Sequence, residues 1–201
     1  MKLENIFRKL PFNRLVKFES LLIIVVLIFL TSCKSKRTLP VQCEQKPKYS
    51  KIFDLPEELI GYNNYDQAID CSKKTGKPLA IYFTATKCGH CDKFETEFLN
   101  SHEISKIINE DFVFVALFVD DKTELPKGDQ FEDTDNVSGY KRKIRNIGHL
   151  NCTLLPKFMH SSQPALFITN KEDSVIAHID YDSNIQELKD EFRLAVEKKN
   201  H

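Results

Sequence analysis

The 201-residue sequence carries no net charge, because 29 lysines and arginines offset 29 aspartates and glutamates. It lacks a basic stripe. Beyond residue 32 the balance is slightly acidic, with 24 basic and 27 acidic side chains. Nucleic acid, which demands clustered lysine and arginine, is thereby excluded as the main partner. There is no low-complexity tract and no internal repeat, so the chain is neither a solenoid nor a disordered linker. A membrane-spanning helix needs about 20 apolar residues. The longest apolar run here, Leu21 to Leu30, is half of that. The six cysteines lack the dense spacing of a small disulfide-stapled module. With 41% hydrophobic residues the chain builds a core without staples.

What the N-terminus does contain reads as an address. Lys2, Arg8, Lys9, Arg14 and Lys17 precede the apolar run, giving the charged and hydrophobic regions of a signal peptide. The run ends Leu30-Thr31-Ser32-Cys33, which resembles the bacterial lipobox. That resemblance implies cleavage before Cys33 and lipid on its sulfur and amino group. The alternative is an ordinary secretory signal with an incidental cysteine. Under either reading the domain leaves the cytosol for a compartment in which disulfides persist. Lys34, Lys36 and Arg37 follow in a polar stretch to about Ser50, the composition of a flexible tether. Some lipoproteins resembling this one reach the cell surface through an acidic run there, so the basic run favours a lipid-anchored protein facing the periplasm. The expected division is a signal over 1–32, a tether over 33–50 and a domain over 51–201.

Within the domain, Asn63 or Asn64 caps a helix that buries Tyr65, Ala68, Ile69 and Cys71 and ends at Gly76 and Pro78. Leu79 to Phe83 is a short buried strand. Phe94, Phe98 and Leu99 indicate a helix, and Ser101 starts a second segment with Ile104, Ile107 and Ile108. Phe112 to Val119 is the clearest strand. The polar segment around 120–147 is too long for a simple connection and is expected as an inserted surface excursion with a helix near its end. Residues 149–159 read as a helix bent at Pro156. Ala165–Thr169 and Ser174–Ile179 form a hairpin around Asn170 to Asp173. Ser183 and Gln186 make a capping box for a last helix with Ile185, Leu188, Phe192 and Val196 on one face. The order is that of an α/β fold, a central mixed sheet flanked by helices and closed by an antiparallel hairpin.

Cys88-Gly89-His90-Cys91 is the chemical centre. Six cysteines in a chain of this length produce a CxxC by chance about one time in six, so its placement after a buried strand and at a helix start carries the weight. Residues i and i+3 share a helix face with Cβ atoms about 5–6 Å apart, close enough to bridge after slight adjustment. The unpaired N–H groups of the first turn favour a thiolate by about 0.3–1 kcal/mol, up to about 2 in good geometry. Lys87 and a protonated His90 add to that. Cys88 is therefore expected as the nucleophile, Cys91 as the resolving thiol and His90 as a tuner of the redox poise. The redox centre is this cysteine pair itself, with no separate cofactor.

The pair and its flanks resemble the thioredoxin superfamily, over roughly residues 60 to 195. Lys77-Pro78 leading to Phe83-Thr84, Val119-Asp120-Asp121-Lys122-Thr123-Glu124-Leu125-Pro126 and Ser162-Gln163-Pro164 carry the likeness. The stretch around Asp120 is similar to the C-terminal thioredoxin-like domain of the membrane thiol:disulfide interchange reductase, in its Bacteroidetes form. The resemblance implies a thioredoxin-like fold, a cis-proline at Pro164 that presents backbone to a substrate chain, and protein thiols or disulfides as substrates. The electron-delivering membrane domain of that reductase is absent here, which implies a separate membrane electron donor or acceptor. The resemblance favours reduction. The His-containing dipeptide instead resembles protein disulfide isomerase, whose couple near −180 mV is more oxidising than that of thioredoxin near −270 mV. Tyr82 stands where such proteins usually carry a buried acid. A neutral phenol is a poor base, so a slow resolving step is expected in which Cys91 ionises unaided and the rate rises with pH, with Glu95 or a water taking the proton only if position 82 proves not to control it.

The rival class is a copper- or zinc-binding module using Cys88, His90 and Cys91. A closed zinc site wants four ligands, and His102, His149, His160, His178 and His201 are scattered without a second cluster. Cys71 reads as a small core residue, while a Cys43–Cys152 bridge is open to formation. His160 lies close before Pro164, at the edge of the site or on a solvated surface.

Overall fold

The computed structural model describes residues 43, 56–134, 139, 141–159, 162–179 and 182–198. All of them fall in the unit Val41–His201. The signal segment, Cys33, His160 and the tether apart from Cys43 lie outside the described residues. Two-residue β1 (Gly61–Tyr62) precedes helix α1 (Tyr65–Thr75). Asn64 caps that helix, its Oδ1 accepting from the Gln67 N–H at 3.0 Å. Gly76 ends it at φ +67°, a left-handed turn that a Cβ would strain. The chain then enters β2 (Leu79–Thr84), α2 (Gly89–Phe94), a π-helical turn (Glu95–Leu99), α3 (His102–Asp111) and β3 (Val113–Phe118). Ser101 sits at the N-cap of α3 without a side-chain capping bond.

The five strands of the main sheet lie in the order β1-β3-β2-β6-β7, with β6 (Ala165–Thr169) and β7 (Val175–Ile179) as the closing hairpin. β2 runs parallel to β3, from Leu79 opposite Val113 to Thr84 opposite Phe118, and antiparallel to β6. Every residue of β2, β3 and β6 is buried, as strands covered on both faces require. Alternation sorts their side chains into two cores. Tyr82, Phe114 and Leu166 pack with Phe94, Leu99, Ile104, Ile108 and with Phe192 of the last helix, α5 (Ile185–Lys198). Ile81, Phe83, Val115 and Leu117 pack on the opposite face with Ala68, Phe158 and Phe167. Phe83 is fully buried, edge-on to Phe158 and Phe167. Truncating it to alanine removes about 3–5 kcal/mol.

Three expectations need correction. The segment after β3 is more than a polar excursion ending in a helix. It contains a 3₁₀ turn (Lys127–Asp129) and an antiparallel pair, β4 (Phe131–Thr134) and β5 (Lys141–Ile144). Leu125, Ile144 and Ile147 make a small core of their own beneath it. Each is an isolated apolar residue among charges, so no periodic signal announced them. The helix falls just past the segment, as α4 (Ile147–Cys152), and stops there. Leu155–Phe158 is a separate 3₁₀ turn, since Pro156 has no N–H for an α-helical bond. The last helix is capped one residue later than expected. Asn184 Oδ1 accepts from the Gln186 and Glu187 N–H groups, and Glu187 Oε2 accepts from the Asn184 N–H.

Candidate active site

β2 delivers the chain into the site. After Thr84 it leaves the sheet and turns into α2, so Cys88 becomes the N-cap residue, extended at φ −135°, ψ 101°. Its Sγ accepts from the Cys91 N–H at 3.2 Å, a helix donor that would face the thiolate once the disulfide is opened. Cys88 and Cys91 form a disulfide with Cα atoms 5.2 Å apart. Cys88 is half-buried and Cys91 is fully buried. Lys87, Gly89 and His90 are exposed around them. Only one sulfur of the pair is therefore presented to a partner. Across from it, the Gln163–Pro164 peptide is cis, and the Gln163 carbonyl oxygen lies 3.9 Å from Cys88 Sγ. Pro164 is buried and immediately precedes β6, whose first residue Ala165 lies opposite Phe83 of β2.

Behind the pair lies a polar group set in the apolar core. Tyr82 is fully buried between Phe94 and Phe114, at ring distances of 5.5 and 6.4 Å. Its hydroxyl bonds to a side chain. It donates to Glu95 Oε1 at 3.1 Å, and the Thr84 hydroxyl donates to the same oxygen at 3.0 Å. Burial pushes the phenol well above its ordinary pKa, and the nearby Glu95 carboxyl adds to this. Tyr82 is thus held neutral as a donor toward Glu95. Glu95 follows Cys91 by one helical turn and opens the π-helical segment, an irregularity that often accompanies functional positions.

The loop between β2 and α2 is held from the side. Asp120, just beyond β3, accepts the Thr86 N–H with both carboxyl oxygens at 3.0 Å and the Thr86 hydroxyl at 2.5 Å. Its neighbour Asp121 is buried and faces the inserted segment, its carbonyl accepting the Gly148 N–H at 2.8 Å. A Cβ on Gly148 would meet the Val119 carbonyl oxygen at 2.5 Å, so only glycine permits this approach. Sequence reasoning used these aspartates as a family signature and missed the contact with Thr86.

The other cysteines differ from expectation. Cys71 is not a free core residue, for it is bonded to Cys43 across 28 positions with Cα atoms 5.7 Å apart. The Cys43–Cys152 bridge does not form. Cys152 is free and half-buried, its thiol pushed up by burial against an opposing pull from Arg142. Cys71 is buried on α1, where it meets Cys43. Among the described residues, no three His, Cys, Asp or Glu side chains gather as a metal site.

Sheet order, helix placement and the position of the cysteine pair opposite Pro164 are those of a thioredoxin-like α/β fold. Residues 61–140 match the model of a thioredoxin-like family. Anterior gradient protein 3 of Mus musculus is 21% identical over 103 residues, which are 50% of this chain and 62% of that protein. The chain thus matches less than two thirds of that relative's length. A solved structure of a DsbH oxidoreductase superposes with a TM-score of 0.52 at 16% identity, covering 73% of this chain and 92% of the other. A thioredoxin from Thermus thermophilus gives 0.50 at 15% identity, covering 70% and 89%.

Proposed function

We propose that this protein is a thiol-disulfide oxidoreductase that acts on protein thiols and disulfides outside the cytosol, in the reducing direction, through Cys88 and Cys91. The observation that carries the reading is the asymmetry of the pair. One sulfur is accessible, caps α2 and accepts a backbone N–H, while the other is sealed beneath it. In the reduced protein the Cys88 thiolate attacks one sulfur of a substrate disulfide, forming a mixed disulfide and releasing one substrate thiolate. Cys91, deprotonated, then attacks Cys88 Sγ. The second substrate thiolate leaves and the Cys88–Cys91 disulfide closes, so two electrons have passed to the substrate. Gln163, beside cis Pro164, offers its backbone to the substrate chain. Glu95, bonded to Tyr82 and Thr84, takes the proton that Cys91 must lose. The resulting disulfide is re-reduced by a dithiol protein at the membrane, close to which lipid on Cys33 holds the domain at the periplasmic face. The redox centre is the cysteine pair, and no other cofactor takes part.

The test is substrate trapping combined with a redox titration. Cys91→Ala should accumulate mixed disulfides on Cys88, and Cys88→Ala should not. A reduction potential nearer −270 than −180 mV fits a reductase. Equal trapping by both variants would remove the assignment of roles, and a potential near −120 mV would reverse the direction.

A further inference from the structure

We infer that Asp120 is a positioning residue for the reaction, acting on Cys88 through Thr86. The inference rests on the proposed exchange at Cys88 and adds the part that holds that sulfur in place once the disulfide has opened. In the oxidised protein the covalent bond keeps Cys88 over the first turn of α2. In the reduced protein that task falls to the backbone of Thr86, Lys87 and Cys88, together with the Asp92 N–H that donates to the Cys88 carbonyl at 3.0 Å. That loop leaves the sheet at Thr84, whose carbonyl accepts the last strand-like bond, from the Val119 N–H at 2.9 Å. Thr86 is exposed and has no strand neighbour of its own. Asp120 supplies the missing anchorage, taking both the backbone N–H and the hydroxyl of Thr86. It is itself fixed, because the next residue is buried and locked onto Gly148 of α4. The inserted segment, otherwise remote from the cysteines, therefore braces the active-site loop through two consecutive aspartates. The consequence lies in the thiolate. Cys88 Sγ accepts the Cys91 N–H only while the loop keeps it at the N-cap, and a loosened loop surrenders that bond.

Position and charge have opposite signs here, which makes the idea testable. As a brace Asp120 favours the Cys88 thiolate, whereas as a bare negative charge it opposes it. The experiment titrates the thiolate of Cys88 by ultraviolet absorbance in the Cys91→Ala protein, which keeps the backbone N–H of residue 91 and cannot form a disulfide. Thr86→Val removes the hydroxyl bond without changing any charge and leaves Lys87, His90 and Asp92 in place. It should lower the thiolate ionisation constant roughly fivefold, the worth of about one hydrogen bond. Thr86→Ser should restore it, and Asp120→Asn should move it in the same direction as Thr86→Val. An unchanged constant in Thr86→Val, with only a lowered melting temperature, would make the contact purely structural and overturn the inference. A higher constant in Asp120→Asn would mean that the carboxylate acts only as a charge, which overturns it equally. No protein substrate enters these measurements. Failure of the brace is thus distinguishable from failure of the oxidoreductase reading, which would show instead as absent trapping by Cys91→Ala.

Discussion

Replacing Cys43 and Cys71 by alanine tests what the second disulfide does. The bond closes a loop across 28 positions and ties an N-terminal segment, ahead of every described strand and helix, onto α1. In the chain-entropy account, a loop of that size restricts the unfolded state by about 3.5 kcal/mol at 25 °C. Among the described residues, Cys43 packs beside Cys71 in the core around Phe83, and its carbonyl accepts the Tyr62 hydroxyl at 3.4 Å. For a domain of this size each kcal/mol moves the melting temperature by roughly 2–4 °C, so the double variant should melt about 10 °C lower. Calorimetry on the oxidised protein measures this. Since the bond is one unit, Cys43→Ala alone, Cys71→Ala alone and the double variant should all fall by similar amounts. Exchange at Cys88 should persist, because neither residue touches the redox pair. A double variant that loses only a degree or two, or single effects that add, would refute the staple.

Three further outcomes follow from the site. Glu95→Gln should slow decay of the mixed disulfide at neutral pH by at least about tenfold, and Tyr82→Phe should slow it less, since it removes a donor and leaves the acid; rapid-mixing kinetics decide, and equal parent rates in both would exclude the trio from proton transfer. His90→Pro should lower the reduction potential by about 30 mV, the equivalent of about 1.4 kcal/mol, because a positive charge beside the Cys88 thiolate is lost; equilibration with glutathione reads it, and no shift would make His90 a spectator. Cys33→Ser should abolish acyl labelling and release the protein from membranes, and labelling that persists would exclude the lipobox reading.

Much of the fold was legible because its elements announce themselves locally. Asn64, Gly76 and Pro78 bracket α1 with unambiguous capping chemistry, and β2 and β3 are apolar runs whose length suits only strands. The hairpin was equally plain, since the Asn170 side chain accepts the Glu172 and Ser174 N–H groups within the turn itself. Illegible parts depend on pairing between distant positions. β4 and β5 are made of charged residues such as Asp133 and Arg142, which bond across the ladder, and either strand alone reads as a loop. The partner of Cys71 is not encoded near it, because helix periodicity reports that a side chain faces inward without saying what it meets there.

Under the proposed exchange, the acid behind the redox pair is a group whose placement no motif records. A carboxyl group near a buried resolving thiol must be placed in space, and the chain can place it from β2 or from α2. With tyrosine at 82 the strand supplies an aromatic ring and a donor, and Glu95 on the helix supplies the carboxyl that the donor holds. Thr84, two residues along β2 on the same face, completes the cradle. The two hydroxyls offset the cost of partly desolvating the half-buried Glu95 carboxyl, so removing either donor takes a hydrogen bond from that acid. Read along the sequence, Tyr82 is a missing acid and Glu95 is one of several glutamates on a charged helix. Only the π-helical turn that begins at Glu95, together with the stacking of Tyr82 on Phe94, brings them together. Substitutions at 82 and 95 should therefore be strongly coupled. Tyr82→Asp alone would set two acids side by side, whereas Tyr82→Asp with Glu95→Gln would return the carboxyl to the strand, and restored resolution in that double variant, against slow resolution in Glu95→Gln alone, would establish the exchange.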